Sequence, residues 1–257
     1  MPYAEVNDIR MYYEEMGSGV PLILMHGATG SIDDPTFSWA ELMPTFAEHY
    51  RCIHLEHRGH GRTNNPAGKL TYFMIADDVC RFIEQLNLAP AHIAGVSDGG
   101  IVALTIGMTR PELARTLVTV GPNYYNDELV KEANRFADVA RYEQNPAAAA
   151  DMARRHDRNK EPGYWKELVR QLAENLAVNP DYSVEDLRRI PVPTLLMAGE
   201  DDLWGNLNQM VTMRKNLPTS ELLIINHAPH EIQHTHSWIV GPVVLDFLAR
   251  YPGIGGT

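Results

Sequence analysis

The run Ala94-Gly95-Val96-Ser97-Asp98-Gly99-Gly100 constrains this chain more than any other. It follows the apolar stretch Ala91-His92-Ile93-Ala94 and precedes the helical pattern Ile101-Val102-Ala103-Leu104. The order is strand, sharp turn, helix, with a serine at the apex and glycines on both sides. A nucleophile on such a turn sits in a strained backbone conformation, so its neighbours must be small. The turn lifts the Ser97 hydroxyl above a sheet and aims the backbone N–H of Asp98 at a developing oxyanion. The plainer alternative is a glycine-rich turn carrying a solvated serine. The rest of the chain decides between them.

A chain of 257 residues can bury its core as one domain, or as one domain with an insertion. The net charge of −11 leaves no basic excess to neutralise phosphates and argues against nucleic acid as a partner. No apolar run approaches the roughly 18 residues of a membrane span. The N-terminal segment lacks the basic and apolar regions of a signal peptide, so a cytoplasmic location is expected. Cys52 opens an apolar strand pattern and Cys80 lies in a helical one; both are expected as buried thiols without a disulfide.

Pro21–Met25 is a short continuous apolar run, as in a strand buried on both faces. A strand–turn–strand over Val6–Tyr13 precedes it, and a helix near Trp39–Glu48 follows it. Arg51–Leu55 reads as the next strand. Ile75, Val79, Phe82, Ile83 and Leu86 have helical spacing. Leu117–Val120, Pro193–Ala198 and Leu222–Ile225 read as further strands, with helices at Leu207–Asn216 and from about Val240 to Arg250. Such alternation predicts an α/β fold with a mostly parallel, doubly covered sheet. Strand patterns vanish between Asn123 and Arg189, where helical periodicity takes over. The expected organisation is therefore a core of residues 1–122 and 190–257, with a helical lid over 123–189 covering the strand C-termini.

A serine hydroxyl needs an adjacent base, most often a histidine held by a carboxylate. In the order serine, acid, histidine, the acid should end a strand downstream of the elbow. Glu200, Asp201 and Asp202 compete for that role after Met197-Ala198-Gly199. His227 and His230 follow the next strand, with His234 and His236 close by. The four histidines share no ligand register and no cysteine joins them, so no metal is expected. Nothing in the chain points to a cofactor.

With these motifs the chain resembles the α/β-hydrolase superfamily over essentially its whole length. Within it, the chain is similar to the valacyclovir hydrolase-like (biphenyl hydrolase-like) serine esterases. The resemblance rests on Gly95-x-Ser97-Asp98-Gly99-Gly100-Ile101, on Gly121-x-Asn123, on Gly199-Glu200-x-Asp202 and on the end of the chain. It implies an α/β-hydrolase fold with an inserted helical lid and a Ser-Asp-His triad. The family's acid falls three residues after the strand-end glycine, which selects Asp202. Its histidine lies 17 residues before the aromatic Phe247 of the last helix, which selects His230. His26-Gly27 resembles the oxyanion loop, making the Ala28 N–H a second donor beside that of Asp98. Arg58-Gly59-His60-Gly61-Arg62-Thr63 resembles the family's R-G-x-G-x-S loop. Three positions depart from the pattern. Glu56 replaces an aspartate. Pro229 precedes the histidine, where it fixes φ and removes an N–H. Val96 replaces a larger aromatic and should leave room beside the elbow.

The function this implies is hydrolysis of a small-molecule carboxylic ester through an acyl-enzyme, by a monomer or homodimer. Aminoacyl esters are a specific expectation, because in the resembled group an acid at the position of Asp98 goes with recognition of an α-amino group. Asp98 could instead cap the helix that follows it. His26, Thr29, Tyr124, Tyr125 and Trp204 are candidate substrate contacts. The basic stretch Arg154, Arg155, His156, Arg158 and Lys160 is expected as a solvated helix face. A carbon–carbon bond hydrolase with the same triad, and a ligand receptor with a slow hydrolase site, are the alternatives.

Overall fold

A computed structural model describes residues 3–252. The first two and last five residues of the expected core spans lie outside it. One eight-stranded sheet runs through the molecule in the order β1-β2-β4-β3-β5-β6-β7-β8. The strands are β1 (Tyr3–Val6), β2 (Ile9–Met16), β3 (Pro21–Met25), β4 (Arg51–Leu55), β5 (Ala91–Val96), β6 (Ala114–Val120), β7 (Thr194–Gly199) and β8 (Ser220–Ile225). β1 and β2 form an antiparallel hairpin, and β2 pairs antiparallel with β4. From β4 to β8 every pairing is parallel. The hairpin turns at Asn7-Asp8, where Asn7 takes the left-handed conformation (φ 47°) that asparagine tolerates.

The central strands are mostly apolar because both faces are covered, with His54, His92, Thr116 and Thr119 as buried polar exceptions. Alternate side chains serve opposite faces. Ile23 and Met25 join one core with Ile53, Ile93 and Leu117. Leu22 and Leu24 join the other with Cys52, Ala94, Val96 and Val118. The first core is closed by α2 (Tyr72–Gln85) and α3 (Asp98–Thr109), the second by Trp39, by Phe46 of α1 (Met43–Ala47) and by Val240, Val244 and Phe247 of the final helix. Cys52 and Cys80 are free and buried.

α1 is shorter than expected. Pro44 can stand in a first turn but not in a helix interior, so the helix cannot extend back to Trp39. Between β6 and β7 lie α4 (Glu128–Ala133), α5 (Val139–Glu143), α6 (Pro146–His156), α7 (Tyr164–Val178) and α8 (Val184–Arg188). Four of the five starts are explicit in the sequence: Asp127, Asp138, Asn145 and Ser183 each accept a backbone N–H from the first turn, while α7 follows Gly163. One antiparallel bridge, Tyr125 to Asp181, is added within this segment. α9 (Leu207–Asn216) follows β7 at its expected position, then α10 (Ile232–Thr235) and α11 (Ser237–Ala249). Among the described residues, no helix is long and apolar enough to cross a membrane.

Candidate active site

Ser97 stands between β5 and α3 with φ 53° and ψ −119°. A non-glycine residue there carries strain of about 1–3 kcal/mol and persists only where the surroundings over-determine it. They do so here. The Ser97 N–H donates to Val120 O at 2.7 Å, and Ser97 O accepts from the N–H groups of Gly100 (2.8 Å) and Ile101 (3.1 Å). The turn is so tight that a Cβ on Gly95 would lie 2.0 Å from Gly99 O. Val96 is fully buried in the core of the sheet. It does not line the pocket.

Of the three acids after β7, Asp202 alone is bonded to a buried histidine, whereas Glu200 lies 3.7 Å from the exposed ring of His227. Asp202 Oδ2 accepts from His230 Nδ1 at 2.7 Å, and its Oδ1 accepts from the N–H groups of Trp204 (2.8 Å) and Gly205 (3.0 Å). Glu200 instead accepts the backbone N–H of His227, and Asp201 is exposed. Pro229 does not divert the loop from this pairing. Burial alone would push the His230 imidazole down. The charge and hydrogen bond of Asp202, with the nearby charges of Glu231 and Asp98, outweigh it and raise the pKa above 6.5. Asp202 holds Nδ1–H, which leaves Nε2 for proton transfer. His227 is exposed, His234 bonds to Glu41, and His236 bonds to Thr235. These three do not converge with His230.

Ser97 and His230 line one pocket of about 230 Å³. Among the described residues no hydrogen bond joins them, as is common before substrate aligns the groups. Ala28, Thr29 and Asp98 share the pocket, and Gly27 lies close enough that a Cβ there would meet Ser97 Cβ at 3.2 Å. The walls are apolar: Phe37, Phe136, Tyr142, Leu176 and Trp204. Asn123 and Asn134 add polar edges. No lysine or arginine lines the pocket, and Asp98 and His230 are its titratable groups apart from Tyr142.

Several sequence expectations need correction. His26 does not line the pocket. It is fully buried, its Nδ1 bonded to Gly27 O at 2.8 Å and its Nε2 accepting the His57 N–H at 3.1 Å. Tyr124 and Tyr125 do not line the pocket either; Gln209 of α9 binds both of their backbone N–H groups and pins the turn after β6. Asp98 makes no side-chain cap bond. Ser97 occupies the cap position, and Asp98 Oδ1 accepts from Tyr72 OH at 3.0 Å. Burial raises the Asp98 carboxyl to about 6 against the lowering effects of Tyr72 and His230.

The basic stretch is not a solvated face throughout. Arg155 and His156 are buried beneath it. Arg155 Nη1 donates to Asp34 Oδ2 (2.8 Å) and to Thr29 O (2.5 Å). His156 accepts the Gly61 N–H at Nδ1, so its Nε2 carries the proton it gives to Thr29 O (3.0 Å). The inserted helices thus grip the loop that carries Ala28 and Thr29. Glu56 lies under the same region, fully buried against Arg62, with its carboxyl pushed up to about 7 by burial.

The sequence reading missed Tyr72, Phe37, Asn134, Phe136, Tyr142 and Leu176. Only their apolar or helical spacing was visible.

A parallel sheet, a strained serine on a strand–helix turn and an acid–histidine pair beside it define an α/β-hydrolase. The model of the alpha/beta hydrolase family matches residues 22–239, and the chain belongs to that family. It is 26% identical to a 2-hydroxy-6-oxo-6-(2'-aminophenyl)hexa-2,4-dienoic acid hydrolase of Metapseudomonas resinovorans, over 96% of this chain and 90% of that protein. A carboxylesterase structure from Nitrososphaera gargenis superposes with a TM-score of 0.79 at 22% identity, covering 97% of this chain and 98% of that one. The meta-cleavage product hydrolase CumD of Pseudomonas fluorescens superposes with a TM-score of 0.77 at 18% identity, covering 96% and 97%. At these identities the structural likeness speaks for the fold.

Proposed function

We propose that this hydrolase cleaves carboxylic esters of small molecules through Ser97, His230 and Asp202. The observation that carries the reading is the Asp202–His230 bond of 2.7 Å in the pocket that Ser97 also lines. His230 Nε2 takes the Ser97 proton as Oγ attacks the ester carbonyl. The N–H groups of Ala28 and Asp98 receive the oxyanion, where each such donor contributes about 10²–10³ in rate. His230 then protonates the leaving alcohol, and water activated by the same imidazole releases the acid. The segment 123–189 acts as the lid, supplying Asn134, Phe136, Tyr142 and Leu176 to the walls.

Aminoacyl esters are the favoured substrates. Asp98 is an anionic group in a pocket lined by no lysine or arginine, which attracts a cation and repels an anion. The apolar wall of Phe136, Leu176 and Trp204 supports a second reading, carbon–carbon bond hydrolysis with the same triad. The relative from Metapseudomonas bears the name of a dienoic acid hydrolase. The missing cationic partner for such an acid weighs against it.

The test is kcat/KM for the p-nitrophenyl ester of valine and for its N-acetylated form, with Ser97→Ala as the blank. A strong preference for the free amine is expected. Equal Ser97-dependent rates would leave a general carboxylesterase. No Ser97-dependent rate on either ester would overturn the ester reading and move weight to carbon–carbon hydrolysis.

A further inference from the structure

The indole of Trp204 is held from three sides. Its backbone N–H donates to Asp202 Oδ1 at 2.8 Å, so the residue is tied to the acid itself. Its ring lies against the His230 imidazole, with centroids 4.7 Å apart and planes at 46°. Its Nε1–H donates to Asn134 Oδ1 at 3.1 Å, and the edge of Phe136 meets it at 5.9 Å. Asn134 and Phe136 bound a short 3-10 turn of the inserted helices. The Asn134 amide is itself oriented, since its Nδ2 donates to Leu176 O at 3.4 Å. One aromatic ring therefore touches the histidine on one side and the inserted segment on the other.

We propose that Trp204 is a positioning residue for His230, holding the imidazole toward Ser97 and favouring its protonated form, and that Asn134 sets where the indole lies. The inference rests on the reading of His230 as the base. Asp202 fixes one ring nitrogen but leaves the imidazole free to tilt about that bond. An aromatic ring at 4.7 Å limits the tilt. A cation within about 6 Å of an aromatic centroid is also stabilised by the ring quadrupole, more so where water is excluded. The base becomes a cation each time it takes the Ser97 proton, so the contact strengthens along the reaction coordinate. The other groups facing His230 are accounted for. Asp202 at the end of β7, Asp98 at the start of α3 and Glu231 on its own loop are the charges, and Phe37 is an uncharged ring 6.5 Å away. Trp204 acts in addition to those three carboxylates, which every variant below retains.

The experiment is an NMR titration of the His230 imidazole, assigned with His230→Asn, in the wild-type chain and in Trp204→Leu, Trp204→Phe and Asn134→Ala. No substrate is needed. Trp204→Leu is expected to lower the His230 pKa by roughly half a unit or more. Trp204→Phe keeps a ring face and is expected to restore most of the shift. Asn134→Ala leaves every residue of the serine–histidine–acid set in place and is expected to give a smaller fall. Where an ester is turned over, the acid limb of kcat/KM is expected to move with the titration. An unchanged His230 pKa in a folded Trp204→Leu chain overturns the proposal. An equal loss in Trp204→Phe and Trp204→Leu assigns the residue to packing alone and also overturns it. An unchanged value in Asn134→Ala overturns the part given to the inserted helices. If no ester is hydrolysed but the titration shifts as stated, the ester reading fails and the positioning role stands.

Discussion

Tyr72 and Asp98 are joined by a hydrogen bond of 3.0 Å from the phenol to the carboxylate Oδ1, and both are buried. The bond comes from α2 and reaches the first residue of α3. It explains why the carboxylate at the start of that helix is not spent on capping it. Among the described residues Asp98 Oδ2 has no hydrogen-bond partner, so one oxygen is left for a ligand in the pocket that Asp98 lines.

The contribution of Asp98 to stability should fall as pH rises through this group, opposite in sign to that of the buried histidines His26, His54, His57, His60, His92 and His156, whose pKa values burial lowers. Burial lifts the Asp98 carboxyl from 3.8 to about 6. Between those values the folded state binds the proton that the unfolded state releases, so this group's contribution decreases with pH there and is level above. The shift corresponds to up to about 3 kcal/mol lost at pH 8. Asp98→Asn is therefore expected to be more stable than wild type at pH 8, with the gap closing toward pH 4. Urea unfolding across that range measures it. The same variant is expected to lose any preference for an amine-bearing ester.

Ser97 gives a second case of function set against stability. Its φ of 53° and ψ of −119° suit glycine better than serine. Ser97→Gly is expected to unfold at higher denaturant, gaining about 1 kcal/mol, while losing nearly all turnover. Ser97→Ala should lose turnover equally and gain nothing, because the Cβ strain remains. Denaturation and assay of the two variants side by side separate strain from chemistry.

Arg155 and Asp34 form a buried ion pair at 2.8 Å between α6 and the loop after β3. Asp34 also orders that loop by accepting the N–H groups of Thr36 and Phe37. Arg155→Leu would leave a buried, unpaired carboxylate, a defect of about 3–5 kcal/mol. Paired with Asp34→Asn, much of that loss should return. A double-mutant cycle by chemical denaturation reads the coupling. The rate should fall in Arg155→Leu as well, since the same guanidinium holds Thr29 O.

The parts of the fold that could be read from the residues are those where burial dictates composition. β3, β4 and α9 fall where the apolar runs and caps put them, because a strand covered on both faces has little choice of side chain. The elbow at Ser97 was legible for the same reason: only glycine fits at Gly95. The choice of Asp202 and His230 among their neighbours came from family resemblance, since three acids and four histidines are chemically alike in a linear chain. The walls were not legible. Helical periodicity marks Leu176 and Phe136 as apolar, but not which neighbour they meet once the helices fold over the sheet. His26 shows the converse error. A histidine next to the expected oxyanion loop looked like a ligand contact, yet its ring turns inward to bond His57 and Gly27.

Gly121 is the position where one added carbon should do most harm. It follows β6 with φ 61°, a conformation that L side chains rarely adopt. A Cβ there would lie 2.6 Å from the His230 imidazole carbon Cε1 and from Nδ1, and 2.7 Å from Asp202 Oδ2. Those are the two ends of the bond that would orient the proposed base, His230. Gly121→Ala must either tilt the imidazole away from Ser97 or push the acid from it. A misplacement of about 1 Å among reacting groups lowers rates on the order of 10²-fold. The backbone strain adds a stability loss above about 1 kcal/mol. The expected result is a folded, less stable protein whose kcat drops at least that far. A wild-type kcat in Gly121→Ala would mean that the Asp202–His230 bond does not govern the rate.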